Sequence, residues 1–468
     1  MKRYASIVTF GCAKNLVDSE TLAPQLIRCG FKLSLEPSEA SLILINTCGF
    51  LESAVQESID AILQLAALKT HSVCEELVVV GCMVQRYGKK LLDLLPEVDL
   101  FLGTSHYLEL AAILKKRQKG NGDRLWMSTP KALPTSQTPR LRSTPPHTAY
   151  LKIAEGCSNR CSFCRIPSLR GPYRSRSVED VLHEVRRLVS EGVKELNLIA
   201  QDSTAFGMDR GDHSALLRLL ESLDDLPALE WVRLLYAYPD RITPDLLNTI
   251  ARSKKVVHYL DIPLQHCVPA ILRRMRRGAS DLGVRPVIDM IRTIIPDIAL
   301  RTSLMVGFPG ETEADFNALL DFVEMIQFDH IGVFSYSAEE GTQAARLPMQ
   351  IDAHVKEARR QVLLDLQKNI SRRRLKNLVG RNLPVLVEGL HPETDLLLAG
   401  RLAIQAPEVD GSVIITKGTA RMGTIVPATI TRVHDYDVEA ELLPGCRNDD
   451  IQKSPQVFTA TGAKRFDI

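Results

Sequence analysis

No part of this 468-residue chain approaches the run of about 18 apolar residues that a membrane-spanning helix needs. A secretory leader is lacking too. The opening MKRYASIVTFGCAKN has two basic residues, but it reaches a polar, cysteine-bearing turn too soon for a signal peptide. Nor is there an excess of one charge: 58 Lys and Arg face 56 Asp and Glu, a net charge of +2. The whole-chain charge therefore selects no partner and has to be read region by region. Together these absences predict a cytoplasmic protein with no membrane partner. That compartment keeps thiols reduced, so the ten cysteines are not expected to form disulfides. Those that cluster point instead to metal binding or catalysis.

Hydrophobic residues make up 45% of the chain and charged residues 24%, as in soluble globular proteins. The length suits about three domains. In residues 2–118 the apolar runs SIVTF, LILIN and LVVVG alternate with helix-like stretches, the rhythm of an open α/β sheet. Residues 119–142 are polar and proline-rich and are expected to be a linker. Over 143–373 six further runs (YLKIAEG, ELNLIAQ, WVRLLYAY, HYLDIPL, IALRTSLMVGF and HIGVFSY) alternate with amphipathic helices. That pattern predicts a full or partial βα barrel, followed by a helical connector over 352–380. Over 376–443 the texture changes to short strands and turns (LPVLVEG, LLLAGRLAI, GSVIITKG and TIVPATITRV), which predict a small OB-like β-barrel. The tail, 444–468, has no pattern.

Two sets of cysteines stand out. Cys12, Cys48 and Cys82 each follow the end of an expected strand, and ligands of open parallel sheets bind outside the carboxyl ends of strands. Three distant residues can therefore converge there, with Asn15 and Asn46 placed to donate to sulfur. Spacing alone leaves a metal site and three small buried hydrophobes equally open. Cys29, Cys74, Cys267 and Cys446 fail the strand-end test and are expected to be ordinary buried side chains. The second set is CSNRCSFC, in which Cys157, Cys161 and Cys164 follow the first strand of the expected barrel, at its catalytic face. Zinc sites usually add a paired cysteine or a nearby histidine, and none is here. Three thiolates on a four-iron four-sulfur cluster leave one iron open to a ligand.

CxxxCxFC at the end of a first barrel strand resembles the radical S-adenosylmethionine superfamily. The wider chain, residues 4 to about 443, resembles its methylthiotransferase branch. The stretches that carry the likeness are GCAKNLVDSE, INTCGFLESA, KIAEGCSNRCSFCRIPSLRGPYRSR, LIAQDST, LLYAYP, DIPLQH, VGFPGET and GRLAIQAPEVDG. Ala13-Lys14 and Gly49-Phe50 stand where tRNA-modifying relatives usually have Gln-Met and Val-Arg. The likeness is therefore to the enzymes that methylthiolate an aspartate of small-subunit ribosomal protein S-twelve. Ser158 and Cys267 depart from the usual pattern without touching a cluster ligand.

The resemblance implies a radical core, a C-terminal TRAM barrel and two 4Fe-4S clusters. One cluster would sit on Cys157, Cys161 and Cys164 and cleave S-adenosylmethionine reductively. An auxiliary cluster on Cys12, Cys48 and Cys82 would hold or deliver sulfur, and a second S-adenosylmethionine would methylate it. The resemblance also implies contacts to S-adenosylmethionine from Phe163, Gln201, Asp202, Arg301, Gly307 and Gly310. It implies an electron donor such as a flavodoxin or ferredoxin, and a separate sulfur donor. Thr312, which ends VGFPGET, reads more simply as a helix N-cap with Asp315 three residues on as its partner. The arginine-rich LRRMRRGAS, RSRS and SRRRLK read as solvated faces, with an acidic or phosphate partner as the alternative.

TRAM barrels are linked to RNA, and a domain that grips phosphates should be basic. Residues 376–443 hold six Lys or Arg against nine Asp or Glu. That balance suits a basic protein partner. Two other functions stay open at this point: a tRNA adenosine methylthiotransferase, and an iron–sulfur electron-transfer or scaffold protein with no S-adenosylmethionine site.

Overall fold

The computed structural model describes residues 3–278, 283–444 and 459–461. Cys446 and most of the expected tail lie outside them. Among the described residues, no helix is long and apolar enough to cross a membrane.

The first unit is a parallel sheet. Its strands run in the order Phe31–Leu33, Arg3–Thr9, Leu42–Thr47, Glu76–Gly81, Leu100–Gly103 and Leu125–Trp126. The three expected strands form its centre. Their apolar runs are unbroken because both faces are covered. Leu42 and Leu44 pack with Leu22, Leu26 and Ile113 on one side, while Ile43 and Ile45 pack with Val55, Ile62 and Val84 on the other. Four strands of this sheet were not anticipated: Phe31–Leu33 and Leu100–Gly103 flank the three expected ones, and two more are very short. Leu125–Trp126 lies in the segment expected to be a linker, and Thr459–Thr461 from the tail pairs with Ile7–Thr9. Strands of two or three residues are too short to show an alternation.

The second unit has six parallel strands in chain order: Thr148–Lys152, Glu195–Ile199, Trp231–Leu234, Val256–Asp261, Ala299–Val306 and His330–Ser335. The first and last strands are not paired, so the barrel is partial. All six expected strands are present. The helix Ala353–Lys376 then leads to a closed barrel of Asn382–His391, Thr394–Leu402, Val413–Lys417, Val438–Leu442 and Ile425–Val433. Its closing strand, Val438–Leu442, was not anticipated, because it alternates acidic Glu439 and Glu441 with only three apolar positions.

The three units meet at the inner face of the partial barrel. Tyr150, Ile199, Trp231 and Tyr259 from the barrel wall share one apolar cluster with Val17 of the first unit and with Leu386 and Ala406 of the third. Buried ion pairs hold the third unit in place: Arg401 pairs with Glu195, and Asp410 with Arg301 and the Tyr259 hydroxyl. The proline-rich segment is no loose tether either. Its Arg140 lies buried between Glu20 of the first unit and Glu184 of the second.

Candidate active site

Cys157, Cys161 and Cys164 line a cavity of about 560 Å³ together with Asn159, Arg160, Arg276 and Thr342. That volume is within the range of small-molecule sites. The loop that carries the thiols follows the short strand Ala154–Glu155, at the carboxyl end of the barrel. The Ile166 N–H donates to Cys164 Sγ at 3.4 Å. Burial pushes the Cys164 thiol up to about 12, with Cys161 adding to the effect, and burial raises Cys157 as well. Without metal these thiols are neutral; a cation in the cavity would draw off their protons. Among the described residues no three metal-binding side chains converge on a single-ion point. The three thiols line one cavity. The donor set fits a multi-iron cluster with one iron left to a ligand.

The structure also brings Cys12, Cys48 and Cys82 together. A Cβ on Gly11 would lie 3.0 Å from Cys48 Cβ, and one on Gly49 would lie 2.5 Å from the Cys82 carbonyl. Only glycine lets the three strand-end turns approach so closely. Burial pushes the Cys48 thiol up to about 12, reinforced by Cys82 and Cys12. Cys12 goes the other way. The surrounding protein raises it by desolvation although the side chain itself is exposed, but the charges of Lys14 and Arg170 and the Asn15 N–H outweigh that and leave it below its ordinary value. Three thiols from three turns again fit an open cluster.

A buried polar network reaches the strand-end triad at Cys82. Arg170 ends the short helix Ile166–Arg170, which starts two residues after Cys164. Its Nε donates to Cys82 Sγ at 3.2 Å, Nη1 to Asp18 and Nη2 to the Asn15 side-chain oxygen, both at 2.5 Å. Lys152 completes the network with Asp18 and Glu155. Burial disfavours a charged Glu155, yet Lys152 and Arg170 hold its carboxyl down at about 2.

Sequence reasoning missed Arg170, Asp18, Lys152 and Glu155. A signal existed for part of the set. Lys14, Asn15, Asp18 and Ser19 recur at helical spacing and are all buried in the helix Ala13–Arg28, a polar stripe where an apolar one belongs. Asn15 donates to the Cys12 sulfur through its backbone N–H, while the two side-chain amides turn elsewhere. The Asn15 amide donates to the Phe10 and Thr47 carbonyls, and the Asn46 amide to Asn15 O and Ser19 Oγ. Cys82 Sγ accepts from Arg170, which no local pattern connects to it.

The other expected contacts divide. The Asp202 carboxylate accepts from Asn159, inside the cysteine loop, at 2.9 Å and from Arg241 at 2.6 Å. Gln201 donates to Glu155 at 2.9 Å. Phe163 packs against the main core. Gly307 is covered by Lys356 and donates to Glu311, while Gly310 is covered by Arg274 and Met349. Arg301 is engaged by Asp410 of the third unit.

Thr312 and Asp315 form a full capping box. The arginine run is not one solvated face. Arg276 lines the cavity, Arg274 bonds Gly310 O, and buried Arg277 stacks on Tyr238 with Nη1 3.9 Å from Cys161 Sγ. Arg176 of RSRS is buried against Asp180 and Glu184, whereas Arg373 and Arg374 make surface ion pairs as expected.

Comparison with known proteins bears on the site as a whole. Residues 151–323 match the radical SAM superfamily, residues 379–443 the TRAM domain, and residues 4–103 the uncharacterized protein family UPF0004. A ribosomal protein uS12 methylthiotransferase RimO from Syntrophobacter fumaroxidans is 60% identical over 95% of this chain and 99% of its own length. The chain belongs to the RimO family of radical SAM methylthiotransferases. A RimO protein from Geotalea uraniireducens is 47% identical over 95% of this chain and 99% of its own. Among solved structures, the radical S-adenosylmethionine methyltransferase TsrM from Kitasatospora setae superposes with a TM-score of 0.53 at 13% identity, over 72% of this chain and 75% of its own. That likeness concerns the fold alone.

Proposed function

We propose that this protein methylthiolates the β-carbon of an aspartate in ribosomal protein S-twelve, using S-adenosylmethionine and iron–sulfur clusters on both triads. The observation that carries the reading is Arg170. It binds Cys82 from a helix that starts just after Cys164, so the two thiol sets are neighbours in one folded molecule. An electron carrier needs no second open triad, and a single-cluster radical enzyme needs no sulfur-holding one.

When bound, the cluster on Cys157, Cys161 and Cys164 supplies the electron that cleaves S-adenosylmethionine. The chain's own residues do the rest. Asp202, held by Asn159 and Arg241, and Gln201, held by Glu155, form the wall beside the cysteine loop where the cofactor is to be oriented. Phe163 closes that loop against the core. An unactivated carbon is poorly served by acid–base catalysis, which is why the chemistry falls to a cofactor. The Arg170 guanidinium keeps positive charge on the auxiliary thiolates and aligns them. A ribosomal substrate places the protein in the cytoplasm, with a flavodoxin or ferredoxin as electron source and a separate sulfur donor.

The acidic balance of the C-terminal barrel argues against a tRNA substrate. The test is mass spectrometry of the ribosomal protein from cells with and without this gene. Loss of the methylthio group without the gene is expected. An unchanged protein beside a lost tRNA methylthio modification would overturn the proposal. Absence of 5′-deoxyadenosine from the reduced enzyme would favour an electron carrier.

A further inference from the structure

Lys14 is the second residue of the helix Ala13–Arg28, two positions after Cys12, and its side chain is only 8% exposed. Its ammonium lies over the Tyr236 ring, 2.9 Å from the centroid. No carboxylate among the described residues forms an ion pair with it, although the other buried lysine of the region, Lys152, has two. An aromatic face attracts a cation but accepts none of its three N–H donors in the way an anion does. Cys12, Asp261 and Glu155 act on it only without direct contact, and Arg170 opposes them; a buried cation with no contacting anion is costly.

The platform beneath it is also unusual. Tyr236 has φ +62°, in the left-handed region that bulky residues avoid. Its N–H is tied to the Asp261 carboxylate at 3.1 Å, and its carbonyl to the Ser203 N–H. Strain of this kind persists only where surrounding bonds enforce it. Tyr236 and Asp261 stand at the carboxyl ends of adjacent barrel strands, the catalytic face. Lys14 thus brings an unpaired cation from the first unit to the barrel mouth, next to one thiol of the auxiliary triad.

We propose that Lys14 binds the carboxylate of the target aspartate, so that its ammonium, seated on Tyr236, makes the enzyme select aspartate over asparagine. This rests on the substrate assignment made above. A carboxylate on Lys14 completes the missing ion pair. It also holds the adjoining β-carbon next to the triad that is to deliver sulfur, a geometry that an uncharged amide would not secure as firmly.

The test uses the full-length, cluster-loaded protein and two forms of the ribosomal protein, one with its target aspartate and one with asparagine there. Equilibrium binding is read by fluorescence anisotropy, and product by mass spectrometry. The parent should bind the aspartate form about tenfold or more tightly than the asparagine form, the size of a charged hydrogen bond. Lys14→Met should bind both forms alike, near the parent's affinity for asparagine, and Lys14→Arg should keep part of the preference. A parent without preference, or a Lys14→Met protein that keeps it, overturns the inference while leaving the function standing. A parent that does not modify the aspartate form overturns the function and the inference with it.

Discussion

Cys157, Cys161 and Cys164 sit on a single loop, whereas Cys12, Cys48 and Cys82 come from three strand ends that meet only when the first sheet is complete. The loop triad carries its own cavity, and its nearest supports are a backbone N–H at Cys164 and the distant guanidinium of Arg277. The strand-end triad leans on a different unit: Arg170 crosses from the barrel to Cys82 and is held there by Asp18 and Asn15. One site is therefore local and the other is an interface. A local site should survive damage to the interface, and each triad should hold its share of iron when the other is lost.

The largest effect tests that separation directly. Cys161→Ala should abolish 5′-deoxyadenosine release and remove about half of the bound iron, one of two clusters. Cys48→Ala should remove a similar share of iron, keep 5′-deoxyadenosine release and lose methylthio transfer. Iron analysis and product assays on both variants read this out; loss of both clusters in either variant would break the comparison.

Next comes the brace. Arg170→Met leaves Asp18 and Glu155 to share Lys152 in a buried site, and breaking a buried pair costs about 3–5 kcal/mol. Urea denaturation should show that loss. The absorption of the strand-end cluster should shift more than that of the loop cluster, and an equal change in both would mean that the loop site is not local.

The smallest effect is a control at a different interface, where His147 packs beneath Gly423 of the C-terminal barrel. Neither ring nitrogen has a partner, and burial, helped by Arg401, pushes the imidazole from 6.5 down to about 4. Between those values the unfolded chain takes the proton and the folded chain does not, so stability falls as pH drops through that window. His147→Gln should flatten that part of the pH profile by on the order of 2 kcal/mol. Iron content should not change, because neither triad touches this contact.

Legibility in the sequence followed the same division. The loop triad could be read whole, because its chemistry is written within eight residues. All six barrel strands were readable too, since burial on both faces leaves unbroken apolar runs. The strand-end triad was readable only as three similar contexts; that Gly11 and Gly49 allow contact between them is a fact of packing. Arg170, Lys152 and Asp18 were not legible as a set, because ion pairs between distant residues leave no spacing to detect. The run 273–277 misled for the same reason: its arginines alternate between solvent, cavity and core only after the helix Pro269–Met275 is docked and Arg276 turns left-handed.

By itself the sequence determined the order of the three units and the loop triad, because local spacing and hydrophobic period are properties of a chain; the strand-end triad and the class of chemistry entered through resemblance to a family. The tertiary structure alone decided that the two triads are neighbours, that Arg301 serves the C-terminal barrel, and that Lys14 stands unpaired at the barrel mouth. Those are statements about which distant side chains share a low-dielectric interior, and only folding brings them within reach of one another.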